Sequence, residues 1–184
     1  MKNIVKLSDY KNEHSVYNRL GRLIWQITWL FFCRWTPSPL FRWRNFICKL
    51  FGGKIASGCH IYPSAKIWAP WNLTMGANSC LGPRVDCYCV AKIIIGDNVT
   101  ISQDAFLCTA SHDISSQNMM LISKDITING MAWVCARSFV GPGVTLGEGS
   151  VLGAMSSATK DIPKWCVYSG CPAIFIKDRR INDA

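Results

Sequence analysis

The chain has 184 residues, 49% of them apolar and 17% charged, which suits one domain with a sizeable core and excludes a disordered tail protein. Its net charge of +9 is concentrated at one end: residues 1–54 hold ten Lys/Arg against Asp9 and Glu13, whereas residues 55–184 hold ten against nine acidic residues. The longest apolar run, residues 23–33, is interrupted by Gln26 and Thr28 and falls short of the ~18–20 residues that cross a membrane.

Residues 1–13 are polar and no small-residue cleavage site follows, so the sequence predicts a cytoplasmic protein. Residues 15–33 are expected to form a helix, with Val16, Leu20, Leu23, Ile24, Ile27, Leu30 and Phe31 near helical spacing. Thr36, Pro37, Ser38 and Pro39 break it. A second helix is expected over residues 40–51, mixing Phe41, Trp43 and Phe46 with Arg42 and Arg44 and ended by Gly52 and Gly53. Trp25, Trp29, Trp35 and Trp43 all fall in this basic stretch. Such a segment either packs on the rest of the protein or on a neighbouring subunit, or lies on an anionic membrane surface at the inner face of the cytoplasmic membrane. Nucleic acid is not an expected partner.

From Ile55 onward a period of six appears. Its first positions are Ile55, Ile61, Ile67, Leu73, Ser79 and Val85, then, after a four-residue slip at 91–94, Ile95, Ile101 and Leu107, and, after an excursion at 113–127, Ile128, Val134, Val140, Leu146 and Leu152. Thirteen of these fourteen are Ile, Leu or Val, where the 41 such residues in the chain would place roughly three by chance. Twelve of the fourteen fifth positions are small residues or Val, and Gly recurs at the second position as Gly96, Gly141, Gly147 and Gly153. Helical periodicity would scatter these positions around an axis. A triangular coil explains them: each hexad is a short strand and a corner, the aliphatic residue points to the axis, the small residue fits the corner, and three hexads close a turn. About five turns are expected. The chain thus divides into a helical segment at 1–54, repeats at 55–163 with an inserted loop at 113–127, and a tail at 164–184, in which Gly170 and Pro172 mark a turn.

Among three histidines, His14 lies in the polar leader, His60 at a corner of the first turn, and His112 immediately before the inserted loop, where a repeat fold can graft a site. A histidine there can take a proton from a hydroxyl near neutral pH. Asp86 occupies the second place of a hexad, where a small residue is usual; it reads as a solvated corner, as a hydrogen-bonding group for an acceptor, or as an orienting partner for His112 about one turn away. The ten cysteines form no CxxC pair, and Cys87 and Cys89 have no second pair or His to complete a metal site, so free buried thiols and no metal are expected.

The repeat resembles the hexapeptide-repeat acetyltransferases, which fold as left-handed parallel β-helices. Residues 95–113, ending Ser111-His112-Asp113, are similar to the stretch bearing the catalytic histidine in the maltose and galactoside acetyltransferases. Residues 67–73 (Ile-Trp-Ala-Pro-Trp-Asn-Leu), residues 102–113 and the basic, Trp-rich leader resemble the colanic acid biosynthesis acetyltransferase group more closely. The resemblance implies a homotrimer with acetyl-CoA in a groove between subunits. It implies His112 as general base, Asp86 and Tyr88 on the acceptor side, and Trp133, Ala136, Ala154, Thr159, Lys160 and Lys177 toward the coenzyme. Cys135 stands where that family usually has Gly. The expected reaction is O-acetylation of a sugar on a surface polysaccharide or its lipid-linked precursor. N-acetylation of an amino sugar and a non-catalytic β-helix scaffold are the alternatives.

Overall fold

The computed structural model describes residues 5–9 and 14–181. From residue 54 the chain winds as a parallel β-solenoid of three faces. Face A consists of Lys54–Ile55, Leu73–Met75, Ile93–Ile95, Ile126–Ile128 and Thr145–Leu146. Face B consists of His60–Ile61, Cys80–Leu81, Thr100–Ile101, Trp133–Val134, Val151–Leu152 and Cys166–Ser169. Face C consists of Lys66–Ile67, Asp86–Tyr88, Phe106–Cys108, Phe139–Val140 and Ser157–Ala158. The coils number about six, the last partial, rather than five. The strand Ile174–Asp178 turns back at Gly170 and pairs antiparallel with Cys166–Ser169 at the edge of face B.

All fourteen first-position residues are buried, but the repeat register differs in the second coil. Ile55 pairs with Met75, Ile61 with Leu81 and Ile67 with Cys87, so those three, not Leu73, Ser79 and Val85, continue the axial columns. The four-residue slip is in fact two insertions of two residues, one at each of the first two corners between faces C and A. Strand side chains alternate with period two, so a two-residue insertion preserves which residues point inward. Leu73 with Met75, and Ile93 with Ile95, are buried together for this reason. Ser79 and Val85 instead occupy the small-residue corner column, with Cys59, Ala65, Val99 and Ala105. The glycines of the second position serve close approach, not a special φ: a Cβ on Gly96 would lie 2.6 Å from the Gly130 nitrogen, and one on Gly147 2.4 Å from that of Lys164. Left-handed φ falls elsewhere, in a corner column through Gly58, Asn78, Asn98, Met131 and Gly149.

The helices are α1, Val16–Phe32, and α2, Phe41–Leu50, and the Ser15 hydroxyl caps α1 by accepting from the Asn18 N–H at 3.1 Å. They close the lower end of the solenoid. Every coil but the first has a neighbour below it to pair its backbone groups. For the first coil, side chains supply the donors: Asn45 Nδ2 donates to the Cys59 carbonyl (2.7 Å), Arg44 Nε to that of Ile61 (2.6 Å) and Trp25 Nε1 to that of Ile67 (2.6 Å). Arg44 is fully buried, and its other nitrogens donate to the Thr36 hydroxyl and to the carbonyls of Pro37 and Ser38. This arrangement sets the orientation of α1, which the sequence leaves open. Trp25 and Trp29 face the protein, while Val16, Leu20, Leu23, Ile24, Ile27 and Phe31 are each about half exposed or more. His14 is not simply solvated either, since its ring lies 5.1 Å from that of Trp68.

Replacing Arg44 by Met is expected to destabilise the protein by about 3 kcal/mol or more, because three carbonyls and a hydroxyl lose a charged donor at once. Asn45→Ala, which frees one carbonyl, should cost about 1 kcal/mol. Urea midpoints at fixed protein concentration measure both, and equal effects would remove Arg44 from its capping role.

Candidate active site

The third strand of face C, Phe106–Cys108, leads into the insertion. Thr109 anchors its base: the backbone N–H and Oγ of this buried residue both donate to the Tyr88 carbonyl, at 3.2 and 2.8 Å, and its own carbonyl accepts from the Lys124 N–H at 2.9 Å. Between these points Ala110–His112 pairs antiparallel with Leu121–Ser123, which sets His112 opposite Leu121. The coil resumes at Ile126, two residues before the expected resumption at Ile128, because Ile126 and Ile128 are both buried on face A. At the tip, Asp113 N–H donates to the Met120 carbonyl (2.9 Å), and the Asp113 carboxylate accepts from the Ser115 N–H (2.9 Å). Met119 takes a φ of 51°, and its carbonyl lies 2.6 Å from His112 Nδ1. A carbonyl can only accept, so Nδ1 carries the proton and Nε2 is the basic nitrogen of the exposed ring. The orienting group is thus a backbone carbonyl seven residues away, which residue type does not reveal.

Asp86 and Tyr88 lie on the outer surface of face C, one coil below the insertion. The Asp86 carboxylate is 3.9 Å from Lys66 Nζ. Burial lifts its pKa above the ordinary carboxylate range, and Lys66 draws it partly back. Tyr88 packs edge-on against Trp68 at 5.6 Å and stands 6.4 Å from Phe106.

The remaining sequence-selected residues divide into two groups. Trp133 is on face B, half exposed, with its indole N–H donating to Ser102 Oγ at 2.9 Å. Ala136 and Ala154 stack one coil apart at the corner between faces B and C, where Met155 N–H donates to the Ala136 carbonyl. Lys177 is on the edge strand of face B, beside a cavity of about 610 Å³ that Asp178 and Arg180 also line. Thr159 and Lys160, both exposed, instead follow the last strand of face C, at the corner between faces C and A that also carries the His112 insertion two coils below. In a three-sided coil that corner is opposite face B. One copy of the chain therefore brings His112 together with Asp86, Tyr88, Thr159 and Lys160 along one edge, and holds Trp133 and Lys177 on the far side. Ser102 was not among the expected site residues; its signals in the sequence are its polar, outward place directly after Ile101 and its position at the start of the 102–113 stretch.

The ten cysteines are free. Burial pushes the Cys33 thiol up to about 11 and lifts Cys48 well above the usual range. Cys87, fully buried and hydrogen-bonded to Cys89, is also raised, as is the half-buried Cys108, where burial is the main cause. None is thereby activated as a nucleophile. Among the described residues no group of three or more His, Cys, Asp or Glu is placed to hold a metal ion. Titration of the native protein with an aromatic disulfide reagent should modify Cys171, the exposed thiol, first. Cys33, Cys48, Cys59, Cys87 and Cys89 should react only on unfolding; fast native reaction at any of these five would contradict the packing described.

No family model matches the chain. It is 43% identical over 145 residues to a protein of Escherichia coli (strain K12) named as the colanic acid biosynthesis acetyltransferase WcaF, spanning 79% of this chain and 80% of that protein. It is 36% identical over 129 residues to the galactoside O-acetyltransferase of the same strain, spanning 68% of this chain and 57% of that one. Among solved structures, a galactoside acetyltransferase in complex with coenzyme A superposes with a TM-score of 0.83 at 25% identity, covering 92% of this chain and 86% of that chain. A hexapeptide-repeat acetyltransferase of Vibrio cholerae complexed with acetyl-coenzyme A shares the fold, with a TM-score of 0.80 at 23% identity over 98% of this chain and all of that one. With 43% identity running through about four fifths of both chains and the solenoid superposing over most of its length, the chain belongs to the hexapeptide-repeat acetyltransferases and is an acetyltransferase of that family.

Proposed function

We propose that this acetyltransferase moves an acetyl group from acetyl-CoA to a hydroxyl of a sugar in a surface polysaccharide or its lipid-linked precursor, with His112 as general base. The observation that carries the reading is the 2.6 Å contact of His112 Nδ1 with the Met119 carbonyl, which leaves Nε2 as the proton acceptor. Nε2 removes the proton as the sugar oxygen attacks the thioester carbonyl. The tetrahedral oxyanion then collapses and expels the coenzyme thiolate, which takes the proton back from the imidazolium. The Met119 carbonyl also stabilises that imidazolium. The likeness to structures holding coenzyme A and acetyl-coenzyme A supports the donor, and the likeness to the polysaccharide and galactoside enzymes supports a sugar acceptor. His112→Ala should lower turnover by about 10²–10⁴-fold while acetyl-CoA still binds. A thiol-release assay against hydroxyl sugars, amino sugars and extracted lipid-linked oligosaccharides measures this. Near wild-type turnover in the variant would overturn the mechanism, and transfer to amino sugars alone would replace it with N-acetylation.

The active assembly we infer is a homotrimer in which one subunit's Trp133, Ala136, Ala154 and Lys177 face the next subunit's His112, Thr159 and Lys160. Their separation across the solenoid in one copy favours a shared site. Light scattering should report about three chains, and an equal mixture of His112→Ala and Trp133→Ala subunits should recover activity that neither has alone. An active monomer would overturn the assembly.

We further propose that α1 and α2 rest on anionic membrane. No helix among the described residues is long and apolar enough to cross one. The outward side of α1 is nonetheless apolar, and exposed Trp35 and Trp43 lie in a segment carrying +8. Removing the helices would strip the donors from the first coil, so the test keeps the full chain. Leu23→Glu with Ile27→Glu should abolish co-sedimentation with phosphatidylglycerol vesicles, and wild-type binding should weaken with salt. Equal sedimentation of both proteins would leave the helices as packing elements.

A further inference from the structure

A second concavity, of about 510 Å³, lies between α1 and the outer surface of face C. Its volume is that of a small-molecule site. Its walls combine three chemistries: the rings of Trp29, Trp68 and Tyr88, the cations Arg34 and Lys66, and the apolar side chain of Leu30. Each has a geometric consequence. Leu30 is half exposed and continues the outward apolar surface of α1 into the cavity, so an apolar chain lying along that surface keeps an apolar contact as it passes Gln26 and Arg34 at the mouth. Trp68 is held in place by the Arg22 guanidinium, 4.0 Å from its centroid, and by Tyr88 edge-on at 5.6 Å, so the two rings form a fixed aromatic part of the wall against which a sugar can pack. The Trp29 ring closes the inner side of this wall, and its buried indole N–H has no hydrogen-bond partner among the described residues. Asp86 sits at the same wall, and its neighbour Tyr88 is tied through its carbonyl to Thr109, three residues before His112. The cavity thus begins at the apolar face of α1 and ends beside the insertion that carries His112.

We propose that this cavity is the docking site for the head of an amphiphilic acceptor, a saccharide joined through phosphate to an apolar chain. The phosphate meets Arg34 and Lys66, the first sugar lies against Trp68 and Tyr88, and the chain follows Leu30 onto the outer side of α1. The inference rests on the acetyl-transfer reading above and gives its acceptor a specific place and form. Neither a free sugar nor a bare lipid phosphate uses all three walls.

The test uses the full chain and a defined probe, farnesyl-phosphoryl-glucose, titrated calorimetrically below its micelle concentration. Glucose 1-phosphate and farnesyl phosphate serve as its two halves. Gln26→Trp, which fills the mouth from an exposed position, and Arg34→Glu, which reverses the charge there, are titrated in parallel, and acetyl-CoA binding is measured for all three proteins. The whole probe should bind at least tenfold more tightly than either half. Each substitution should weaken it at least tenfold and leave acetyl-CoA affinity unchanged. Equal probe affinity in wild type and variants, or farnesyl phosphate binding as tightly as the whole probe, would overturn the cavity assignment while acetyl transfer stands. Absence of acetyl-CoA binding by the wild-type protein would instead overturn the reading beneath it.

Discussion

A coil of parallel strands satisfies its backbone only by having another coil on each side, and the first coil of a solenoid has none beneath it. Three carbonyls of that coil, those of Cys59, Ile61 and Ile67, are met here by Asn45, Arg44 and Trp25. Much of the molecule follows from these three bonds. They fix α2 across the open end and α1 along the corner between faces C and A. They explain why a guanidinium is tolerated with no exposure at all, since carbonyl dipoles and the Thr36 hydroxyl occupy its donors. With Trp25 committed to Ile67, the side of α1 that carries Leu23, Ile24 and Ile27 must point away from the protein.

The same placement creates the cavity over face C, because α1 stands off the strand that bears Lys66 and the next that bears Asp86 and Tyr88. Cap, apolar outer surface and cavity are consequences of one packing decision. Toward the other end of face C, the insertion exploits the regularity of the coil in a different way. Thr109 pins both its ends against Tyr88 and Lys124, so a sixteen-residue departure between Thr109 and Ile126 leaves the axial columns undisturbed, and the hairpin presents its histidine on a rigid base.

Splitting a site across a prism has a physical merit. The three faces of a solenoid diverge, so no two of them can form a cleft, and a concave binding surface needs either an appended element or a second copy. This chain offers both: α1 makes a concavity with face C, and the edge carrying His112 lies opposite the face carrying Trp133 and Lys177. They correspond to the two sites proposed above, one for an acceptor and one for a coenzyme between subunits.

The amino-acid sequence alone determined the coil and the order of its parts. The period stays legible through the shifted second coil, because inward and outward positions alternate by two and every inward side chain must fit the same narrow axis. It also identified His112 at the edge of the insertion. It did not determine the register of the second coil, since a two-residue insertion changes which residues stack without changing which are buried; only the pairings Ile55 with Met75 and Ile61 with Leu81 decide that. Nor did it determine which side of α1 faces the protein, because the apolar spacing is there in either orientation and the choice rests on one indole N–H reaching the Ile67 carbonyl. The tautomer of His112 was likewise beyond it: the group that orients the ring is the Met119 main-chain carbonyl, and every residue type has one. Periodic burial is written in side-chain identity and is legible; backbone partners and the handing of one face to another exist only once the chain has folded.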